Sequence, residues 1–213
     1  MKRIVLTDGG MGQELLRRSG AAPTPLWSAR VLIDEPDLVR DLHADFIDAG
    51  ARVITINTYA ATPERLEREG VGELFEELQQ RGIDLAKQAR DMTGADVRIA
   101  GCLPPLFGSY KPELTLSFDE TLEIYRRVVA AQKDQVDLIL CETMASAEEA
   151  LAAATAATIS SPRRSPIMRR PNPACRSGYP GRCRTASMAR GCAAARRLKR
   201  PQKPSPTSSL RRG

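Results

Sequence analysis

Four short clusters hold the residues whose types could do chemistry: Asp8-Gly9-Gly10-Met11-Gly12, Asn57-Thr58-Tyr59, Gly101-Cys102-Leu103-Pro104-Pro105 and Glu142-Thr143. Asp8 and Glu142 are carboxylates, which suit a ligand ammonium group. The glycines beside Asp8 let backbone N–H groups approach a ligand carboxylate. Together these features describe a site for an amino acid, provided the fold brings the clusters to one place. Taken alone, Asp8-Gly9-Gly10 is an ordinary turn sequence, and Cys102 and Cys141 read as core thiols rather than nucleophiles. His43, the one histidine of the chain, falls in a helical stretch beside Leu42 and reads as surface or boundary packing. Without a second histidine it cannot seed a His-based metal site.

Each cluster closes a short apolar run: Arg3–Thr7, Arg52–Asn57, Asp96–Ala100 and Val136–Cys141. Runs of this kind are expected for strands covered on both faces of a parallel sheet. Helical patterns separate them. Asp34-Glu35-Pro36 starts one helix, with Leu38, Leu42 and Phe46 at i, i+4, i+8 and Pro36 tolerated in the first turn. A second lies within Val71–Met92, with Gly82 weakening its middle. Ser117 can cap a third, lined by Leu122, Tyr125, Val128 and Val129, and Ser146 with Glu149 has capping-box spacing for a fourth. The alternation implies a parallel sheet with crossover helices and admits either an open doubly wound sheet or a barrel. In a barrel, all four clusters share the rim at the C-terminal ends of the strands, where active sites are built.

Composition divides the chain. Residues 1–158 carry 17 Lys and Arg against 26 Asp and Glu, a net charge of −9. Residues 159–213 carry 15 Lys and Arg and no acid, a net of +15, with eight prolines. The expected boundary lies near Ala157–Ser160, with a folded domain over 1–158 and a disordered basic tail over 159–213. The N-terminal apolar run meets Asp8 too soon for a signal peptide, and no stretch approaches the ~20 apolar residues of a membrane span. Five cysteines (Cys102, Cys141, Cys175, Cys183 and Cys192) without CxxC spacing argue for a reducing compartment, so the cytoplasm is the expected location.

The clusters, joined by Gln13-Glu14-Leu15-Leu16, Leu26-Trp27-Ser28-Ala29 and Ala60-Ala61-Thr62, resemble in order and spacing the homocysteine S-methyltransferase family. Leu103–Tyr110 is most similar to the bacterial S-methylmethionine-type branch. The resemblance implies a TIM-type (β/α)₈ barrel, of which only the first four βα units are present here. It also implies a zinc held by three cysteine thiolates, with homocysteine supplying the next ligand. The metal keeps the substrate thiol deprotonated, and the thiolate attacks the methyl group of a sulfonium or ammonium donor, giving methionine. By the same resemblance, Asp8, Gly9 and Glu142 fall where the family holds the amino-acid end of homocysteine, and Thr58 and Tyr59 fall near the substrate mouth. The implied partners are homocysteine and a methyl donor such as S-methylmethionine.

The family's cysteine ligands come from a Gly-x-Asn-Cys segment and a Gly-Gly-Cys-Cys pair in the second half. Neither motif is present, so no catalytic residue and no zinc ligand is carried over, and the chain is expected to bind no zinc and to be inactive. The tail has the composition of a GC-rich gene translated out of frame. Read from the third base of each codon, Cys175 through Ala195 permits strings resembling the family's fifth strand, and the glycine formed across Met188-Ala189 is forced by the code. A frameshift near residue 158 is therefore expected. The competing reading is a basic extension binding nucleic acid non-specifically through Arg163-Arg164, Arg169-Arg170 and Arg196-Arg197-Leu198-Lys199-Arg200. Tyr179 is the tail's only aromatic residue, so a stacking platform is lacking. A half-barrel would leave two apolar sheet edges, through which self-association is expected.

Overall fold

The structure, a computed structural model, describes residues 4–160 apart from Ala21 and Pro23. The expected tail, with its three cysteines and its arginine clusters, lies outside the described residues apart from the last turn of a helix. The elements run α1 (Met11–Ser19), α2 (Ser28–Asp34), α3 (Pro36–Asp48), β1 (Val53–Thr55), α4 (Pro63–Arg68), α5 (Phe75–Thr93), β2 (Arg98–Leu103), α6 (Phe118–Gln132), β3 (Leu138–Cys141) and α7 (Ala147–Ser160). Single 3₁₀ turns precede α5 and α6, at Gly72–Leu74 and Pro112–Leu114. Among the described residues no helix is long and apolar enough to cross a membrane.

The strands form one parallel sheet in the order β1-β2-β3. The first apolar run adds to β1's free side, but more weakly than the sequence predicts. It makes one isolated parallel bridge, Thr7 to Val53, with Arg52 N–H donating to Leu6 O (2.8 Å) and Asp8 N–H to Val53 O (3.0 Å). Ile4, Val5 and Leu6 stand exposed. Of the regular strand expected over Arg3–Thr7, the described residues pair only at Thr7. From this run to β3, sequence neighbours are spatial neighbours throughout. That is the progression of a barrel wall, whereas a doubly wound sheet reverses its order at a switch point.

The helices form for reasons visible in the sequence. Pro36 opens α3 at its first residue, as its missing N–H permits. At α6, Ser117 is the N-cap as predicted, and the Glu120 carboxylate accepts from Ser117 N–H (3.2 Å), which makes a capping box where the sequence predicted only a cap. At α7, Ser146 Oγ accepts from Glu149 N–H (3.0 Å). Glu149 does not close the box on Ser146: its carboxylate accepts from Ala145 N–H (2.8 Å) and from Leu106 N–H (3.0 Å) in the loop after β2. Gly82, expected to weaken α5, is where α5 meets the sheet most closely. A Cβ there would lie 2.8 Å from Thr58 Cγ2.

Apolar packing holds the layers together. Ile54, Ile56, Ile83 and Ile99 form one cluster, and Leu15, Leu32, Leu42, Phe75 and Tyr125 belong to another. Between α5, α6 and β2 runs a buried amide relay. Gln132 Nε2 donates to Gln79 Oε1 (2.8 Å) and to Cys102 O (3.1 Å), and Gln79 Nε2 donates to Ala61 O (2.8 Å). His43 departs from expectation. It is fully buried rather than at the surface or boundary, neither ring nitrogen has a hydrogen-bond partner, and burial lowers its pKa to about 3. Val39, Leu42 and Ile47 of the apolar stripe are buried on α3, and position 43 falls among them.

Candidate functional site

The C-terminal ends of the strands open onto a cavity of about 680 Å³. Thr7 and Asp8, Thr55 to Asn57, and Leu140 with Glu142 and Thr143 line it from the sheet. The first turn of α1, Trp27, Tyr59, Arg65, Ser109 and Tyr110 complete the wall. Clusters separated by as many as 134 positions in the chain thus meet because parallel strands all point the same way.

Asp8 is fixed by β1. Its Oδ2 accepts from Thr55 N–H (2.7 Å) and its Oδ1 from the Thr55 hydroxyl (3.2 Å). Burial raises its pKa to about 6 against the opposing effect of these hydrogen bonds, and the negative charge of Glu142 adds to the rise. The two carboxylates therefore face one region and repel each other, an arrangement that an incoming cation relieves. Glu142 accepts from the Cys102 thiol at 3.1 Å. Burial pushes the Cys102 pKa well up, with Glu142 contributing, so Cys102 is a neutral donor that orients Glu142 and not a thiolate.

The glycines have physical reasons. A Cβ on Gly12 would come within 2.8 Å of the Trp27 ring, so its absence lets α1 lie against the indole. A Cβ on Gly9 would meet Phe46 Cε1 at 3.0 Å. The first turn of α1, running from Gly10 into Met11, Gly12 and Gln13, faces the cavity with the positive dipole end of the helix, though the Met11 N–H is already taken by Gly9 O (2.8 Å).

The opposite wall is aromatic. Trp27 and Tyr59 meet edge to face, with ring centroids 6.0 Å apart at 77°. The Tyr59 hydroxyl is 2.5 Å from Ser109 Oγ, and the Arg65 guanidinium carbon stands 5.3 Å from the Tyr59 ring centroid. The loop that brings Ser109 here is tied down from three helices. Tyr125 Oη donates to Pro104 O (2.8 Å), Arg65 Nη2 to Pro105 O (2.8 Å) and Thr62 Oγ1 to Leu106 O (3.0 Å), while Glu149 accepts from Leu106 N–H. Among the described residues, the non-glycine positions with positive φ are Trp27 (45°), Tyr110 (61°) and Thr143 (56°), and all three line the cavity. Such backbone costs of order 1–3 kcal/mol per residue and concentrates where a site is built.

Of the five residues expected to bind substrate, Asp8, Gly9, Tyr59 and Glu142 line the cavity, and Thr58 does not. Thr58 is buried with its methyl group toward Gly82, behind the wall. The two residues sit in a turn after β1, closed by Ala61 N–H on Thr58 O (2.9 Å), which sends Tyr59 to the cavity and Thr58 toward α5. Trp27 carried a sequence signal as the only tryptophan. Arg65 and Ser109 carried none, since one reads as a charge on a short helix and the other as a loop serine.

The sequence of this chain matches the family model described as "Homocysteine S-methyltransferase" over residues 5–178. The chain belongs to the homocysteine S-methyltransferase family. It is 31% identical over 161 residues to the homocysteine S-methyltransferase of Escherichia coli K12, covering 68% of this chain and 52% of that protein. It is 28% identical over 166 residues to the homocysteine S-methyltransferase YbgG of Bacillus subtilis, covering 70% and 53%. A crystal structure of the homocysteine methyltransferase MmuM from E. coli, in its metallated form, superposes with a TM-score of 0.66 at 31% identity, covering 74% of this chain and 60% of that one. The chain thus spans about half the length of these curated family members. The family match ends at residue 178, past the composition boundary near 158.

A metal does not fit the described residues. Among them no three His, Cys, Asp or Glu side chains are grouped to hold an ion. Cys102 donates its thiol hydrogen to Glu142.

Proposed function

We propose that this chain carries the substrate-holding wall of a homocysteine S-methyltransferase: it grips the amino-acid end of homocysteine and presents a surface for an onium methyl donor. The observation that carries the reading is the pairing, in one cavity, of two mutually repelling carboxylates with an aromatic pair. The ammonium group of homocysteine sits against Asp8 and Glu142 and relieves their repulsion. Its carboxylate takes the N–H groups of the Gly9–Gly12 turn and the start of α1. Across the cavity, the faces of Trp27 and Tyr59 offer π density to a sulfonium or quaternary ammonium, the methyl sources that a thiol can demethylate. Thr58 acts only behind this wall, by packing α5 against the end of β1.

No step of methyl transfer is assigned to residues of this chain. Activation of the thiol in the family is the work of zinc, and the described cysteines cannot supply its ligands. The domain is accordingly proposed to comprise residues 1–158, with the basic segment from 159 onward a product of a shifted reading frame, and the chain alone to bind without turning over.

Trp27 is the only tryptophan of the chain and lies in the cavity wall, so its fluorescence reports occupancy directly. Titration with homocysteine is expected to saturate, and 4-mercaptobutanoate, which lacks the ammonium, is expected to bind at least tenfold more weakly. Equal responses to the two would remove the amino-acid reading. Methionine formation by the purified chain at enzymatic rates would remove the proposal that it is inactive.

A further inference from the structure

Arg65 is the one feature of the cavity that the proposed function leaves unused. It projects from α4 into the wall beside Tyr59, half-buried, and among the described residues no carboxylate pairs with it. A guanidinium has five N–H donors in a planar fork. The loop carbonyls of Pro105 and Leu106 take Nη2 (2.8 Å) and Nε (3.3 Å). Neutral carbonyls orient the fork without cancelling its charge, and donors remain free. Desolvation works against the charged form here, and the negative charge of Glu149, though it favours that form, makes no ion pair with it, so the cavity holds a cation without a salt-bridge partner among the described residues. Asp8 and Glu142 do not compensate it: Asp8 is hydrogen-bonded to Thr55 and Glu142 to Cys102. Charge is thus sorted across the cavity, with anions at the strand ends and a cation beside the aromatic pair.

A plain onium ion would be repelled by a cation at that wall. An onium that also carries a carboxylate would not be, because its positive centre could lie against the cavity-lining Trp27 and Tyr59 side chains while its carboxylate met the remaining N–H groups of Arg65. Resting on the reading of this cavity as a methyltransferase site, we propose that Arg65 is a specificity-determining residue that selects a carboxylate-bearing methyl donor over one lacking an anionic group. Its anchorage explains how it can do so. The same loop carbonyls that hold the fork belong to the segment that places Ser109 on the Tyr59 hydroxyl, so the cation and the aromatic face keep a fixed separation, as a zwitterionic ligand of fixed length requires.

The test uses the full chain and two probes that share a dimethyl- or trimethylsulfonium centre, 3-dimethylsulfoniopropanoate and trimethylsulfonium, each read by Trp27 fluorescence beside a homocysteine titration. The carboxylate-bearing probe is expected to bind about tenfold more tightly. In Arg65→Gln that ratio is expected to fall to near one, and in Arg65→Lys, which keeps the charge but loses the fork, to an intermediate value. A ratio near one in the parent chain overturns the proposal. So does a ratio unchanged in Arg65→Gln, the outcome if Arg65 only pins the loop and its loss weakens both probes alike. If Arg65→Gln does not fold, the parent ratio and Arg65→Lys decide. Homocysteine binding without any response to either sulfonium overturns the role of Arg65 and leaves the amino-acid subsite standing; no response to homocysteine overturns the function on which both rest.

Discussion

Along β2, five of six residues are buried and hydrogen-bonded strands lie on both sides, whereas all four residues of β3 keep partial exposure. At the other flank Ile4 is 96% exposed and Leu6 55%, and on α7 Leu151 and Ile159 are as open. The centre is closed by apolar packing and by polar groups that find partners: the Gln79–Gln132 relay, the Glu149 clamp and the Tyr125 hydroxyl. The flanks present the same residue types with nothing against them. Apolar side chains at the centre thus stabilise the fold, while identical chemistry at the flanks contributes surface that calls for a cover. The cavity spans both regimes, since Asp8 follows the weak outer strand and Tyr59 stands over the finished centre.

Breaking the centre should cost most. Tyr125 is fully buried, and Tyr125→Ala is expected to destabilise by about 3–5 kcal/mol, read from urea unfolding. A loss below 1 kcal/mol would mean the centre is not the stability core. Glu149→Gln leaves one of two buried N–H groups, on Leu106 or Ala145, without its acceptor. It should cost about 2 kcal/mol and weaken sulfonium binding more than homocysteine binding, because the loop carrying Ser109 loosens. Equal weakening of both would detach Glu149 from the aromatic wall.

Titration separates Asp8 in the cavity wall from His43 in the core. The raised pKa of Asp8 means that the folded state holds its proton more tightly than the unfolded chain. That contribution to stability is present below pH 4 and is lost as pH rises toward 6. His43 has the opposite sense: its lowered pKa makes the folded state lose stability as pH falls below 6.5. Asp8→Asn should remove the first trend alone, and His43→Leu the second, with His43→Leu neutral or stabilising by up to about 1 kcal/mol because it removes two unpartnered buried nitrogens. Melting curves between pH 4 and 8 for the three chains test this; identical pH profiles would refute it. Homocysteine affinity should rise with pH through about 6 as Asp8 ionises. The smallest stability effect belongs to the flanks. Leu6→Ser with Leu151→Ser should change stability by less than about 0.5 kcal/mol yet keep the chain monomeric at higher concentration by light scattering. Marked destabilisation would show that these side chains are already covered.

The sequence reading worked best where one local rule decided. Ser117 announced α6, Pro36 announced α3, and the apolar runs at 52–57, 96–100 and 136–141 announced the three paired strands. It missed by a few residues where pairing decided: β2 begins at Arg98 and runs on through Gly101 and Cys102 to Leu103, because a neighbour on each side supports residues that look like loop. It over-read the run at 3–7, where among the described residues only Thr7 bridges to β1. That Asp8, Gly9 and Glu142 would line one cavity was legible because parallel strands bring their C-terminal ends to one side. Arg65, Ser109 and the buried state of His43 were not, since each depends on what a distant segment places beside it.

By itself, the sequence determined the α/β alternation, the polar strand ends, the family and the change of charge near residue 158, all properties of local pattern and composition. The tertiary structure alone decided that Thr58 turns away from the cavity while Tyr59 faces it. It also decided that Cys102 serves Glu142 as a neutral donor, and that an unpaired cation stands opposite two carboxylates. Those outcomes depend on burial and on distances between segments far apart in the chain, and electrostatic and hydrogen-bond energies take their size from such distances.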